Sequence, residues 1–186
     1  AHDLQDGAID RLRTLPIARV SLLLARTTSD LTACLLSVTV STVCGLVLGW
    51  RPHTGPLSVA GAYLMVVLFA FAMSWIGAFV ALVTPNVQVA GSVGLLWLFP
   101  LTFISSGFVA PVSLPGPLAE IAVWNPMSGL ANSLRLLFGN TAPDSFPVQH
   151  GWPVEHAVLY GTTCALVLIA VFGALSTWRY RLRTAT

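Results

Sequence analysis

The chain has 186 residues, of which 55% are hydrophobic and 9% charged, and a formal net charge of +2. Charged residues make up about a quarter of an ordinary soluble domain, so a mean hydropathy of +0.80 with so few charges excludes one and marks an integral membrane protein. The small charge, with no basic run interleaved with aromatics, gives no grip on nucleic acid.

All nine basic residues are arginine. Without lysine, no GxxxxGK[ST] phosphate loop exists in this sequence, so these residues do not hydrolyse ATP alone. Cys34, Cys44 and Cys164 all fall in apolar segments and none has a CxxC partner. They read as small buried hydrophobes and leave the redox compartment open. The chain opens with Ala1 on a charged amphipathic stretch, and the expectation is that part of the protein lies upstream.

Residues 3–15 place Leu4, Ala8, Ile9, Leu12 and Leu15 on one helical face and Asp3, Asp6, Asp10 and Arg13 on the other. Pro16 ends that helix. The pattern suits a helix lying in the membrane interface. The first span is Leu31–Trp50, within a helix predicted to start near Val20 and carrying Arg26 and Asp30 at i, i+4 spacing. That pair reads either as a functional ion pair inside the membrane or as a pair at the headgroup boundary where arginine snorkels; the boundary is preferred. Gly45 and Gly49 form a GxxxG, a pattern common by chance in such sequences.

A short loop, residues 51–56, leads to a second span, Leu57–Val83, with Ala70, Ser74 and Ala78 as a small packing face. After Thr84-Pro85-Asn86 comes a third span from Val87 to about Ala110, broken at Pro100. Thr102, Ser105 and Ser106 follow the proline, where hydroxyls can satisfy freed backbone groups. A proline-punctuated turn, residues 111–117, introduces two short apolar runs, Leu118–Trp124 and Ser128–Phe138, divided by Asn125-Pro126 and closed by Gly139-Asn140. Both are below spanning length and read as re-entrant or interfacial helices capping a bundle. A polar loop ends at Trp152, an interface anchor, and the last span, Ala157–Trp178, is followed by Arg179, Arg181 and Arg183.

Four spans put both ends of the chain on one side. Seven arginines collect there (11, 13, 19, 26, 179, 181 and 183) against Arg51 and Arg135 on the other, so the positive-inside rule makes that side cytoplasmic. No ionisable residue falls within 31–50, 57–83, 87–110 or 157–178. Ion-coupled carriers usually need one, which disfavours a secondary transporter without excluding backbone-coordinated sodium. His150, Glu155 and His156 fit no zinc spacing, and Ser105 and Ser106 lack a histidine at matching depth for an intramembrane protease. A passive, kinked bundle remains, and it needs an external engine.

Three ordered segments resemble a known family: FPLTFISSGFVAP, then SLPGPL, then WNPMSGLANSLRLLFGN. They look like the C-terminal half of the type-2 ABC exporter permeases, in particular the daunorubicin-resistance-like bacterial branch. DGAIDRLRTLPIAR likewise looks like the family's cytoplasmic loop between its second and third spans. The resemblance implies an all-α membrane protein, here the back part of a six-helix permease whose first two spans lie upstream. Its parts would be a cytoplasmic coupling helix (1–19), spans at 20–50, 57–84, 87–110 and 154–178, an outer region at 111–153, and a cytoplasmic tail at 179–186.

The resemblance further implies a subunit that exports a hydrophobic or amphipathic substrate (drug, lipid or glycolipid) across a bacterial plasma membrane. Such subunits pair with a second permease, identical or not, and with separate ABC ATP-binding subunits. Those subunits, not this chain, would bind ATP and magnesium; no cofactor or metal is expected on the chain itself. Carried residue by residue, Asp6, Gly7, Asp10, Arg11, Leu12, Arg13, Leu15 and Pro16 match the coupling loop. Pro100, Gly107, Pro111, Pro115 and Gly116 match the kink and outer turn, and Asn125, Pro126, Leu134 and Arg135 the re-entrant helices. Read from the residues alone, Arg135 is an interfacial cation and Asn125-Pro126 a helix start. A non-transporting membrane scaffold or assembly subunit stays open as the alternative.

Overall fold

The computed structural model describes residues 19–140 and 150–184, with the side chains of 19–28, 87, 111 and 180–184 outside the description. Among the described residues, seven α-helices and one 3-10 turn follow in order: α1 Arg19–Val47, α2 Pro56–Val83, α3 Val87–Phe103, the 3-10 turn Pro111–Ser113, α4 Gly116–Val123, α5 Pro126–Phe138, α6 Trp152–Glu155 and α7 Ala157–Thr184. The region matched to a coupling helix lies outside the described residues.

Three of these helices contain stretches long and apolar enough to cross a membrane: Ser29–Val47, Pro56–Val83 and Ala157–Arg179. α3 has 17 residues, the lower limit of the roughly 17–25 that a bilayer core requires. It leaves the Thr84–Asn86 turn, where the Asn86 side chain accepts from the backbone N–H of Val89 at 2.9 Å. It finishes against α5, and the far end of α5 meets the α1–α2 loop through His53 N–H to Phe138 O at 2.8 Å.

The core lies between α2 and α7. Ala62, Met65, Phe69, Ala72 and Ile76 form one buried face of α2, at the alternating steps of three and four residues that keep a stripe on one side of a helix. Phe69 and Ala72 close on Ala165 of α7, with Leu168 and Ile169 around them. The small residues singled out from sequence on α2 lie elsewhere: Ser74 turns to α1 and donates to Asp30 Oδ2 at 2.8 Å. Thr42 Oγ1 and Tyr63 Oη lie 2.9 Å apart between the same two helices, and Leu35, Leu36, Val40 and Val43 of α1 are exposed.

Three sequence expectations change. The third helix stops at Phe103, not near Ala110, and it runs through Pro100 without breaking there. Pro100 is close enough to the end that its missing N–H removes only a late rung, and the next backbone groups are taken by turn bonds and by α5. The GxxxG is no packing motif: α1 ends at Val47 and Gly49 has φ +96°. Gly49 instead closes the helix, with its N–H on Leu46 O at 3.2 Å and that of Trp50 on Gly45 O at 2.9 Å, the paired bonds of a left-handed helix stop. Finally, Asp30 falls inside the first spanning stretch, which starts at Ser29. These stretches therefore take in two charged residues just outside the bounds read from sequence, Asp30 near the start of the first and Arg179 at the end of the third.

Candidate functional site: a polar clasp at one end of the bundle

α5 starts and stops on local chemistry. Asn125 caps it, its Oδ1 accepting from the backbone N–H of Met127 at 2.9 Å, and Pro126 occupies the first turn, where a missing N–H costs nothing. Gly139, at φ +69°, ends it. A β-carbon there would sit 2.8 Å from Thr54 Cγ2, so both the backbone and the space require glycine. Thr54 Oγ1 donates to Leu137 O at 2.5 Å, and His53 Nδ1 meets Asn140 Oδ1 at 2.8 Å. The α1–α2 loop thus holds the end of α5.

Ser128, Asn132 and Arg135 stand at i, i+4, i+7 on α5, one face by helical geometry. That face grips the turn after α3. Ser128 Oγ accepts from the backbone N–H of Ser106 at 2.9 Å. Asn132 Oδ1 accepts from Ser106 Oγ at 3.0 Å and from Arg135 Nη1 at 3.1 Å. Arg135 Nη2 donates to the carbonyl oxygen of Ser106 at 2.7 Å. From the start of α5, Asn125 Nδ2 donates to Leu101 O at 2.6 Å and Ile104 O at 3.3 Å. Carbonyls that α3 leaves open as it ends are therefore satisfied by the neighbouring helix. Ser105, Ser106, Asn125, Ser128 and Ser133 are all buried, and every one of them is bonded.

The adjoining face of α5 packs on α7 with little clearance. Ser133 Oγ lies 2.6 Å from Gly129 O and 2.7 Å from Ala157 O, two acceptors for its single proton. A β-carbon on Gly129 would lie 2.8 Å from Tyr160 Cδ1, and one on Gly161 2.7 Å from Ser133 Oγ. Tyr160 Oη donates to the backbone oxygen of Trp124. Trp124 and Trp152 both stand edge-on to the Tyr160 ring, at centroid distances of 5.9 and 6.3 Å.

Of the residues proposed from sequence, the structure brings Asn125, Pro126 and Arg135 together with the segment after Pro100. Gly107 lies in that segment, its N–H 3.4 Å from Ser105 Oγ. Pro111 opens the 3-10 turn, while Pro115 and Gly116 open α4. Leu134 is half-buried. Asp6, Gly7, Asp10, Arg11, Leu12, Arg13, Leu15 and Pro16 lie outside the described residues. Sequence reasoning passed over Ser128 and Asn132, although their spacing to Arg135 was readable as one helical face. His156, considered for a metal, stacks on Trp152 at a centroid distance of 5.3 Å and an interplanar angle of 19°.

Among the described residues, an all-helical bundle with membrane-length apolar helices and a hydrogen-bonded cap of short helices is the architecture of a multi-pass membrane protein. Residues 3–138 match the family described as "ABC-2 type transporter", and the chain belongs to that family. It is 32% identical, over 98% of its own length and 61% of the relative's, to "Daunorubicin resistance ABC transporter permease protein DrrB1" of Streptomyces coeruleorubidus. It is 34% identical over 86 residues, 46% of its length and 30% of the relative's, to "Doxorubicin resistance ABC transporter permease protein DrrB" of Mycobacterium tuberculosis. The chain thus spans about six tenths of the length of the first of these curated relatives and matches less of the second. No solved structure matches it.

Proposed function

We propose that the chain forms most of the membrane part of an exporter permease, which moves a hydrophobic or amphipathic substrate outward. The observation that carries this reading is the family match through residues 3–138, seconded by similarity along 98% of the chain to a drug-resistance permease. The chain itself has no catalytic role. Energy comes from separate ATP-binding subunits, which hold ATP and magnesium, and two permease subunits make up the membrane half. ATP binding biases an equilibrium between two packings of the bundle.

In this reading α3 is the fourth crossing, supported by its course from the Thr84–Asn86 turn to the capped end. Both chain ends then face the cytoplasm of a bacterial cell, as the arginine distribution favours. The clasp and α4–α5 lie at the outer face, where α5 would cover the exit. Residues 3–16 dock on the ATPase. A second reading, ion-coupled carriage, gains one observation, Asp30 inside a span; family membership outweighs it.

The test is co-purification of the complete permease with its ATPase subunit, for wild type and for Arg11→Glu/Arg13→Glu. Binding lost on charge reversal supports both the exporter reading and the docking surface. Binding that survives reversal moves that surface elsewhere, and no ATPase bound to wild type contradicts the reading.

A further inference from the structure

Arg135 carries a charge that no carboxylate among the described residues meets. Its bonds go to neutral oxygens, Asn132 Oδ1 and Ser106 O, and its side chain is exposed. Those bonds take one hydrogen from Nη1 and one from Nη2, so the rest of the fork, with Nε–H, is open to a further acceptor. Its height in the bundle follows from its neighbours. Arg135 stands one turn before Phe138, whose backbone oxygen accepts from the N–H of His53. His53 lies in the loop before Pro56, the first residue of the second membrane-length stretch. The guanidinium is therefore level with the start of that stretch, where an arginine can keep its charge at the headgroup boundary.

A second feature begins beside it. The carbonyl that holds the guanidinium belongs to Ser106, two residues before Phe108. Phe108, Phe103 and Phe99 are all exposed, and their rings form a ladder. Phe103 stands 5.4 Å from Phe108 and 5.7 Å from Phe99, the latter pair stacked at an interplanar angle of 9°. Phe99 lies one turn back along α3 from Phe103, about 6 Å closer to the Thr84–Asn86 turn. None of the three rings belongs to the α2–α7 core, so the strip is reached from the flank of the bundle. A cation at the boundary, with an apolar strip leading away from it, repeats the order of head and tail in a phospholipid.

We propose that Arg135 and the strip of Phe108, Phe103 and Phe99 form a site for one anionic phospholipid, held at the bundle's flank and not carried. The phosphate accepts from the open side of the Arg135 fork, a geometry that arginine and phosphate share, and an acyl chain covers the rings. Charge complementarity selects this occupant. A zwitterionic headgroup brings its own cation toward the arginine, and an apolar helix laid on the strip leaves the guanidinium without a counter-charge. Asp144, which lies outside the described residues, is the competing partner for the arginine, and the test separates the two. The site goes beyond the exporter reading, since binding there requires no transport.

The experiment is native mass spectrometry of the complete permease–ATPase complex, titrated with palmitoyl-oleoyl phosphatidylglycerol or with phosphatidylcholine of the same chains. At the tightest site wild type prefers phosphatidylglycerol about fivefold, the size of one exposed charge interaction. Arg135→Gln brings the two lipids within about twofold, while Arg135→Lys, which keeps the charge, retains the preference. Phe99→Ala/Phe103→Ala removes two exposed rings and weakens both lipids about threefold. Glycerol phosphate, which has no chains, does not compete; competition from it would reduce the site to a phosphate contact and overturn the lipid. A preference unchanged in Arg135→Gln, or lost in Arg135→Lys, overturns the site. A preference that appears only in Asp144→Asn assigns the arginine to Asp144 and overturns it equally. If Arg135→Gln does not assemble, unchanged binding of both lipids in Phe99→Ala/Phe103→Ala decides against the site. ATP turnover leaves the lipid bound, and its release on turnover would make it cargo and contradict a fixed site. An intact preference without ATP-driven export would contradict the exporter reading while leaving the site standing.

Discussion

Arg135 reaches from α5 to the backbone oxygen of Ser106, 2.7 Å away, and so ties α5 to the turn that follows α3. The bond is charge-assisted and shares its arginine with Asn132 Oδ1 at 3.1 Å. Four polar side chains from two segments thereby satisfy one another where α3 gives out. The same helix also packs Met127 and Leu130 against the α2–α7 core, so hydrogen bonds and apolar burial hold it together.

Arg135→Ala removes that bond and leaves Ser106 O underserved, with an expected stability loss of about 1.5–3 kcal/mol. Arg135→Lys recovers only part of it, since a point charge cannot serve Ser106 and Asn132 with one planar fork. Thermal unfolding in detergent, wild type against both variants, measures the difference.

Asn125 serves two roles through opposite ends of one amide. As a helix cap, aspartate replaces asparagine at almost no cost. Here Asn125→Asp loses the donor to Leu101 O and Ile104 O and turns a carboxylate toward two carbonyl oxygens. The expected outcome is a loss of about 1–3 kcal/mol in Asn125→Asp despite an intact cap. A melting temperature equal to wild type would reduce Asn125 to a plain helix start.

Gly129→Ala and Gly161→Ala each push a methyl into the α5–α7 contact, against the Tyr160 ring and Ser133 Oγ respectively. Overpacking of this kind costs about 1–3 kcal/mol. Gly161→Ala is expected to be the worse, because its further neighbour is the Gly129 carbonyl, 3.1 Å away, and backbone yields less than a ring. Gly116→Ala, with open space around it, is expected to change the melting temperature little.

Gly139→Ala combines a left-handed φ with a clash on Thr54. Loss of about 1–2 kcal/mol is expected from the backbone alone, and Thr54→Ser, which retains the hydroxyl and removes the clashing methyl, recovers the steric part. Melting of the single and double variants measures the coupling.

Much of this architecture was legible because membrane helices announce themselves as long apolar runs. The start and stop of α5 were legible as well, since Asn125, Pro126 and Gly139 are local signals that need no tertiary information. The end of α3 was not. Its apolar pattern continues past Phe103, and only the side chains of α5, brought in from twenty residues on, show why the helix can stop there. The pairing of Asp30 with Ser74 was hidden for a related reason. One sequence gives a helix its apolar stretch but not its register against a neighbour, and the bond to Ser74 sets that register. The Gly45–Gly49 pattern misled because helix-packing and helix-ending glycines look alike until φ is known.

The most direct test of the exporter account is ATP-dependent accumulation of a fluorescent amphipathic compound by inside-out vesicles holding the complete permease and its ATPase subunit. The account predicts uptake that requires ATP and both subunits, survives collapse of the proton and sodium gradients, and falls when the Arg135 clasp is broken. Uptake driven by an ion gradient without the ATPase would contradict it and turn attention to Asp30 as the coupling group.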